Sequence, residues 1–451
     1  MTDERADLIQ RFLRLARFVV PLTGILLVVM QWWQTSILID QAQTANRTMR
    51  QIWTNHPPEF PLDTLGAALY IPTAVSPLAA FDPGEGPWLA QSIWLQMGKI
   101  SRGQDQFGFD VFSVGRQINM SAATFAQLII PSLALVLAWR QARRGREISL
   151  QSWTALQTSL IEFAGPTVAI CCLLTAVLQR QSLGVEGATR LMLILGAYVL
   201  YSLCCGTICW LAFQFSTSLS RPMGMLVVFW LLNFTLARPL TVNLASLVFP
   251  LPSLDKYAQD LTLGIESGIG GVESRSDRQR RFFSEILRDY NASSSAEVPV
   301  NVSALMMMKE EIHQREVGRQ LRNKLEDKFL NQERLEQALS VLLPFVAIQI
   351  TSSALAATDF ACERRQLAEA DAFWAGLVPK VYKDVAETSG PNAVKVARGS
   401  DYWRKLPFFE SRIPSPFWPL LSCVGPGLGM AMIAVAGVVM SLRGRKQEQA
   451  A

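Results

Sequence analysis

Glu310 and His313 stand at the Glu-x-x-His spacing with which one helix contributes half of a di-iron carboxylate site. The other half is missing. The chain has only 2 histidines in 451 residues, and the second, His56, is distant in sequence, so the pair reads as part of a solvated helix face. The same shortage removes any Ser/His/Asp set, and there is no Cys-x-x-Cys pair for zinc. The run Gly264-Ile265-Glu266-Ser267-Gly268-Ile269-Gly270-Gly271 is glycine-rich but lacks the lysine of a phosphate-cradling P-loop. Catalytic, cofactor and metal sites are therefore not expected in this chain. Two charged features remain. Arg140, Arg143, Arg144, Arg146 and Glu147 crowd one short segment, and Arg238 stands between apolar runs, where a charge is costly unless it reaches water, headgroups or a partner. The alternative for Arg238 is snorkelling at an interface, with Pro239 ending its helix.

The elements that position these residues are apolar. Half of the chain is hydrophobic, only 18% is charged, and the mean hydropathy is +0.22. A typical soluble protein is nearer a quarter charged. The run 18–39 carries no charge, and at about 1.5 Å per helical residue it covers a hydrocarbon core of about 30 Å. Further spans are expected at 117–139, 163–179, 191–213, 222–238 and 415–442. The fold class is thus all-α: a polytopic membrane protein with six transmembrane helices and a mainly helical extracytoplasmic region.

Orientation follows from the basic segments. The leader carries Arg5, Arg11, Arg14 and Arg17, the 140–162 loop carries the arginine cluster, and the 443–451 tail carries Arg443, Arg445 and Lys446. Six spans put all three on the cytoplasmic side with both termini, leaving 40–116 and 255–412 outside. A seventh uncharged run, 337–358, would force the basic tail outside if it crossed; it is read as re-entrant or interfacial, as is 239–254. Residues 1–17 read as an amphipathic helix lying in the interface. No cleavable signal pattern is expected in span one. The seven cysteines form no disulfide framework and read as small packing residues. The arginine cluster beside a span is first a topology determinant, so no nucleic-acid partner is expected.

The region 40–116 is rich in proline and glycine and is expected to hold loops and short helices. The region 255–412 is nearly charge-balanced, with 22 basic and 23 acidic residues. Its run 303–339 reads as a long amphipathic helix, with Ile312, Val317, Leu321, Leu325 and Phe329 on the packed stripe and Arg322 on the polar side. A second helical pattern follows over 360–385.

Several separated pieces carry a family resemblance. Ser76-Pro77-Leu78 through Asp82-Pro83-Gly84, then Trp94-Leu95 and Lys99, open the first outer region. Arg238-Pro239-Leu240 leads to Pro250-Leu251-Pro252-Ser253; Val298-Pro299-Val300-Asn301 opens the long helix; Leu343-Pro344 leads to Leu355-Ala356-Ala357-Thr358-Asp359. In this order the chain resembles permeases of the type-2 exporter class of ATP-binding-cassette transporters, in the branch with two large extracytoplasmic insertions that includes gliding-motility permeases. That family more often has Leu-Ala-Gly-Thr-Asp where this chain has Leu355–Asp359. Its Glu-Arg-Glu-x-Gly-Thr-Leu-like coupling segment is replaced here by Arg143-Arg144-Gly145-Arg146-Glu147-Ile148-Ser149-Leu150.

The resemblance implies a permease subunit of the bacterial inner membrane that moves a substrate with ATP hydrolysed elsewhere. No cofactor belongs to this chain; ATP and magnesium belong to a cytosolic ATPase dimer. A second permease subunit, identical or a paralogue, and membrane lipid complete the expected partners. Arg140, Arg143, Arg144, Arg146 and Glu147 are the expected ATPase-coupling residues, and Arg238 and Asp359 the residues of interest at the outer interface. The rival expectation is a non-transporting scaffold or mechanical transmitter that couples ATPase motion to periplasmic partners.

Overall fold

The structure, a computed structural model, describes residues 2–55, 69–84, 92–96, 99–102, 120–144, 149–216, 218–268, 270–271, 273–389, 400–415 and 417–450. Seven stretches among them are long and apolar enough to cross a membrane: 14–54, 122–143, 150–178, 180–214, 220–248, 344–388 and 422–443. The protein is a helical, polytopic membrane protein. Two hydrophobic cores divide it, one inside a helical bundle and one inside a cap that stands on the bundle.

Helix α1, Thr2–Asn55, belongs to both. At 54 residues it is about 81 Å long, and it merges the expected interfacial leader and first span into one rod. The charge at Asp40 ends the apolar run without ending the helix, because no glycine or proline follows before Asn55. Its last turns bury Trp53 in the cap core. Beyond it, β1 (Leu69–Pro72), β2 (Ser92–Gln96) and β3 (Lys99–Arg102) form an antiparallel sheet in the order β1-β2-β3, with Tyr70 opposite Trp94 and Leu95 opposite Ile100. Loops and short helices were expected there. The aromatic and branched residues in these short runs suit a pleated surface, and too few of them alternate to stand out in a proline-rich region.

The bundle comprises α2 (Ala122–Arg144), α3 (Leu150–Leu178), α4 (Arg180–Gln214), α5 (Ser220–Leu232), α6 (Arg238–Val248) and α13 (Phe417–Ala450). Helix α3 starts at Leu150, capped by the Ser149 side chain, so most of the expected 140–162 loop is helix. A π-helical turn, Asn233–Ala237, joins α5 to α6 without a break. The chain therefore stays helical to Val248 through the first part of 239–254, which was expected to be re-entrant or interfacial. Pro239 removes one amide donor and crowds the carbonyl four residues back, and the wide turn just before it absorbs that disturbance.

The cap contains α7 (Leu254–Ser267), α8 (Arg275–Asp289), α9 (Val302–Ser340), α11 (Phe360–Thr388) and the short α12 (Ser400–Lys405). Asn301 caps α9 and Asp359 caps α11, each accepting from a backbone N–H three residues on. Helices α9 and α11 run antiparallel. The Asn301 amide donates to Ala386 O at one end, and Phe329 packs on Phe360 at the other. Arg322 lies on this interface, paired with Asp371 of α11, so it does not sit on a free polar side. Ile312, expected on the packed stripe, is 40% exposed. The stripe has the wrong width because α9 packs against α6, α7, α8, α11 and α13, on more than one face.

At the base of this hairpin lies α10 (Pro344–Ala356), almost wholly buried against α4 and α13. Its 13 residues reach about 20 Å, short of a hydrocarbon core of about 30 Å. The chain reverses at Ala357, which adopts the left-handed conformation (φ 56°).

Candidate functional site

The residues that meet around α10 come from segments far apart in sequence. Arg190, at the first full turns of α4, is buried; its guanidinium donates to Leu355 O at 3.0 Å and to Pro414 O at 2.5 Å. One side chain thus fastens the end of α10 and the approach to α13. Ser76 Oγ donates to Ala356 O at 2.5 Å, and Thr358 Oγ1 donates to Asp82 O at 3.1 Å. The Ala123 amide donates to Phe81 O at 3.2 Å, and the Phe81 ring stands edge-on to Tyr198, with centroids 5.8 Å apart. Below that ring, Tyr198 Oη donates to Ala123 O and accepts from Gln127 Nε2 at 3.1 Å.

Asp82 is buried in the same knot and accepts the Gly84 amide on Oδ1 at 3.0 Å. Burial raises its pKa above the ordinary carboxyl value, and the Ser352 hydroxyl, the Gly84 amide and the Arg238 charge work against that rise. Gly84 is left-handed (φ 50°), and a Cβ there would lie 2.4 Å from Thr358 Oγ1. Only glycine lets this turn seat so closely.

Arg238 and Asp359, 121 positions apart, line one cleft with Glu333 and Glu336 of α9, and Ile350 and Phe360 form its apolar wall. Arg238 Nη1 donates to Gln349 Oε1 of α10 at 3.4 Å. Its helix does not end at Pro239 but continues to Val248, which corrects that part of the snorkelling alternative.

Residues 259–412 match the Domain of unknown function (DUF3526). The match begins in α7 and takes in α8 to α12, which is the cap together with α10. No curated relative matches the chain, and no solved structure does.

The expected coupling residues lie at the other end of the bundle. Arg140 and Arg143 sit in the last turns of α2, and the Arg143 guanidinium stacks on the Trp139 ring at 4.3 Å. Arg144 is the final residue of α2, and Arg146 and Glu147 lie outside the described residues. Just beyond, Ser152 ties the helices together: Trp210 Nε1 donates to its hydroxyl at 2.8 Å, and Gln141 Nε2 donates to its carbonyl.

Glu310 takes part in no metal set. It pairs with Arg278 of α8 at 3.1 Å, and no cluster of three or more His, Cys, Asp or Glu among the described residues could hold a metal ion. His313 stands beside Phe282, and burial followed by the nearby Arg278 charge lowers its pKa. The glycines at 268, 270 and 271 all have positive φ and serve the turn between α7 and α8.

Sequence reasoning missed Arg190, Tyr198, Ser352 and Gln349. Arg190 was recoverable, since it is a lone charge next to an apolar run, the signal that singled out Arg238. The others are ordinary polar residues in helices, and only their convergence marks them.

Proposed function

We propose that this chain is the permease subunit of an ATP-binding-cassette transporter of the type-2 exporter class, working with a cytosolic ATPase dimer and a second permease subunit. The observation that carries the proposal is the convergence at α10. Ser76–Gly84, Arg238 and Leu355–Asp359 are pieces on which the family resemblance rests, and they meet in one buried polar knot. Pieces that resemble a family only as an ordered set gain weight when they also form one site.

In this reading α1, α2, α3, α4, α5 with α6, and α13 are the six spans, and α10 enters the bilayer and returns. Both termini and the Arg140–Glu147 link then face the cytoplasm of a bacterial cell, where the arginines belong. The cap faces outward. ATP-driven closure of the ATPase pair would act on the α2–α3 link, whose base is tied to α4 through Ser152 and Trp210. Helix α4 carries the motion to Arg190 and α10. In this reading the nucleotide belongs to the ATPase pair, and the work of this chain is to shape the route and rearrange it.

A mechanical-transmitter reading draws on α1, which runs without a break from the bundle to Trp53 in the cap core. Substrate flux in vesicles separates the two readings. The first test is purification from native membranes. An ATP-binding-cassette ATPase should accompany the chain, and Arg144→Ala with Glu147→Ala should weaken that association or ATP turnover while insertion is retained. A chain that purifies without any such ATPase would reject the proposal.

A further inference from the structure

The segment 76–84 is a plug. It comes from the first inserted region, yet Ser76, Pro77, Leu78, Ala80, Phe81, Asp82 and Pro83 are all buried, packed chiefly on α1 and also on α4, with hydrogen bonds to α2 and to the end of α10. Its polar fastenings are few: Ser76 to Ala356 O, Thr358 to Asp82 O, the Ala123 amide to Phe81 O, and the Ser352 hydroxyl to the Asp82 carboxyl. Beneath it lies a polar cluster where a membrane bundle would be expected to be apolar. Gln127, Tyr198 and Ser352 are buried there, and Gln127 Oε1 has no hydrogen-bond partner among the described residues. A buried acceptor left unmatched is costly in a closed protein, and that cost disappears whenever water enters.

We infer that residues 76–84 form an outer gate, which withdraws from its seat on α1, α2, α4 and α10 to open the Gln127–Tyr198–Ser352 cluster to the extracytoplasmic side. The inference rests on the permease reading for the side it faces. Its seat explains the coupling. Thr358 follows α10 directly, and Arg190 holds the neighbouring Leu355 carbonyl, so displacement of α4 or α10 pulls the plug's partners away together. Phe81 closes the seat by covering Tyr198, and Gly84 lets the turn descend far enough to do so.

The test places a cysteine under the plug, Ala123→Cys, in the full-length chain in spheroplasts, and measures labelling by a membrane-impermeant maleimide against the parent with its native cysteines. Two variants unseat the plug: Gly84→Val, whose Cβ would meet Thr358, and the milder Phe81→Ala. With the plug intact, Ala123→Cys should label slowly. Either unseating variant should raise the rate about tenfold or more, since labelling follows the open fraction. Fast labelling with the plug intact, or equally slow labelling in both variants, would overturn the gate. Protease digestion of the α9–α11 hairpin is followed in parallel; its collapse in both variants would make the segment a fixed brace and also overturn the gate. The measurement needs neither ATP nor ATPase. Slow labelling with the plug intact and fast labelling in the unseated variants, in a chain that shows no flux, would sink the permease reading alone, and unchanged slow labelling of both unseated variants in a chain that transports would sink the gate alone.

Discussion

The bundle core and the cap core solve the same packing problem with different residues. The bundle core is richer in small side chains, among them Ala123, Ala126, Ala134, Ala164 and the five cysteines at 171, 172, 204, 205 and 209, packed beside a few large ones such as Trp210, Tyr198, Tyr201 and Phe213. The cap buries large and branched ones: Trp53, Trp374, Tyr382, Val378 and Val381. Their polar contacts differ as well. In the bundle, neutral side chains bond to each other or to main-chain carbonyls, as Gln157 does with Leu203 O at 3.1 Å and Trp153 with Thr207 at 3.1 Å. In the cap, ion pairs dominate, including Arg278 with Glu310 and Lys309 with Glu285. The difference follows from the solvent. Lipid tails are as apolar as leucine, so bundle helices gain from close approach and scarce hydrogen bonds, whereas cap helices gain from removing large apolar surface from water.

This contrast can be broken most severely in the cap. Trp374 is 1% exposed at the centre of the cap core, and Trp374→Ala should cost about 3–5 kcal/mol. Protease treatment of spheroplasts should then digest the cap while the bundle still inserts; an undigested cap would mean that its core is not independent of the bundle. The largest bundle effect should come from Arg190→Met, which strands two buried carbonyls at about 1–3 kcal/mol each and should lower the melting temperature in detergent. If Arg190→Lys behaves like the parent, the guanidinium fork is unnecessary.

Arg322→Ala removes the partly buried partner of Asp371 and should loosen the hairpin by about 1–3 kcal/mol, read as faster digestion between α9 and α11. An unchanged rate would make the pair ornamental. Acid should also distinguish the two regions. Glu285 is held below its ordinary value of 4.5 chiefly by the Lys309 hydrogen bond, and Glu273 by its bond to Arg281. Both are carboxylates with depressed folded pKa, so their contribution is present above about 4.5 and fades as pH falls through the lower folded values. Limited proteolysis from pH 6 down to about pH 3 should therefore show the cap opening before the bundle; simultaneous loss would contradict the assignment. The smallest effect is at Ala357. A left-handed alanine costs about 1–2 kcal/mol relative to glycine, partly offset by glycine's freer unfolded chain, so Ala357→Gly should stabilise the protein by up to about 1 kcal/mol. A lower melting temperature would show that the cap of α10 is not strained.

The place of Ala357 shows how sequence and structure divide the evidence. The resemblance marked it as a departure from a family pattern that has glycine there, but the reason for glycine appears only in the backbone, where α10 turns sharply into α11. Arg322 is the converse. Helical periodicity put it on a polar side, and periodicity describes one helix with one packed face, which fails for a helix packed on several. The cleft was half legible: Arg238 and Asp359 were both singled out, yet nothing in the chain placed them together or brought Glu333 and Glu336 beside them.

What the sequence determined by itself was set by local composition. Uncharged apolar runs dictate helices that can cross a membrane, and Ser149, Asn301 and Asp359 supply caps that start helices where they stand. Each of these depends on residues within a few turns of one another. The continuity of α1 into the cap, the π-helical passage through Arg238, the burial of α10 and the seating of 76–84 were decided by tertiary structure. They depend on which carbonyls and charges are left to be satisfied once the helices have packed, and a buried donor such as Arg190 finds its acceptors 165 and 224 residues away.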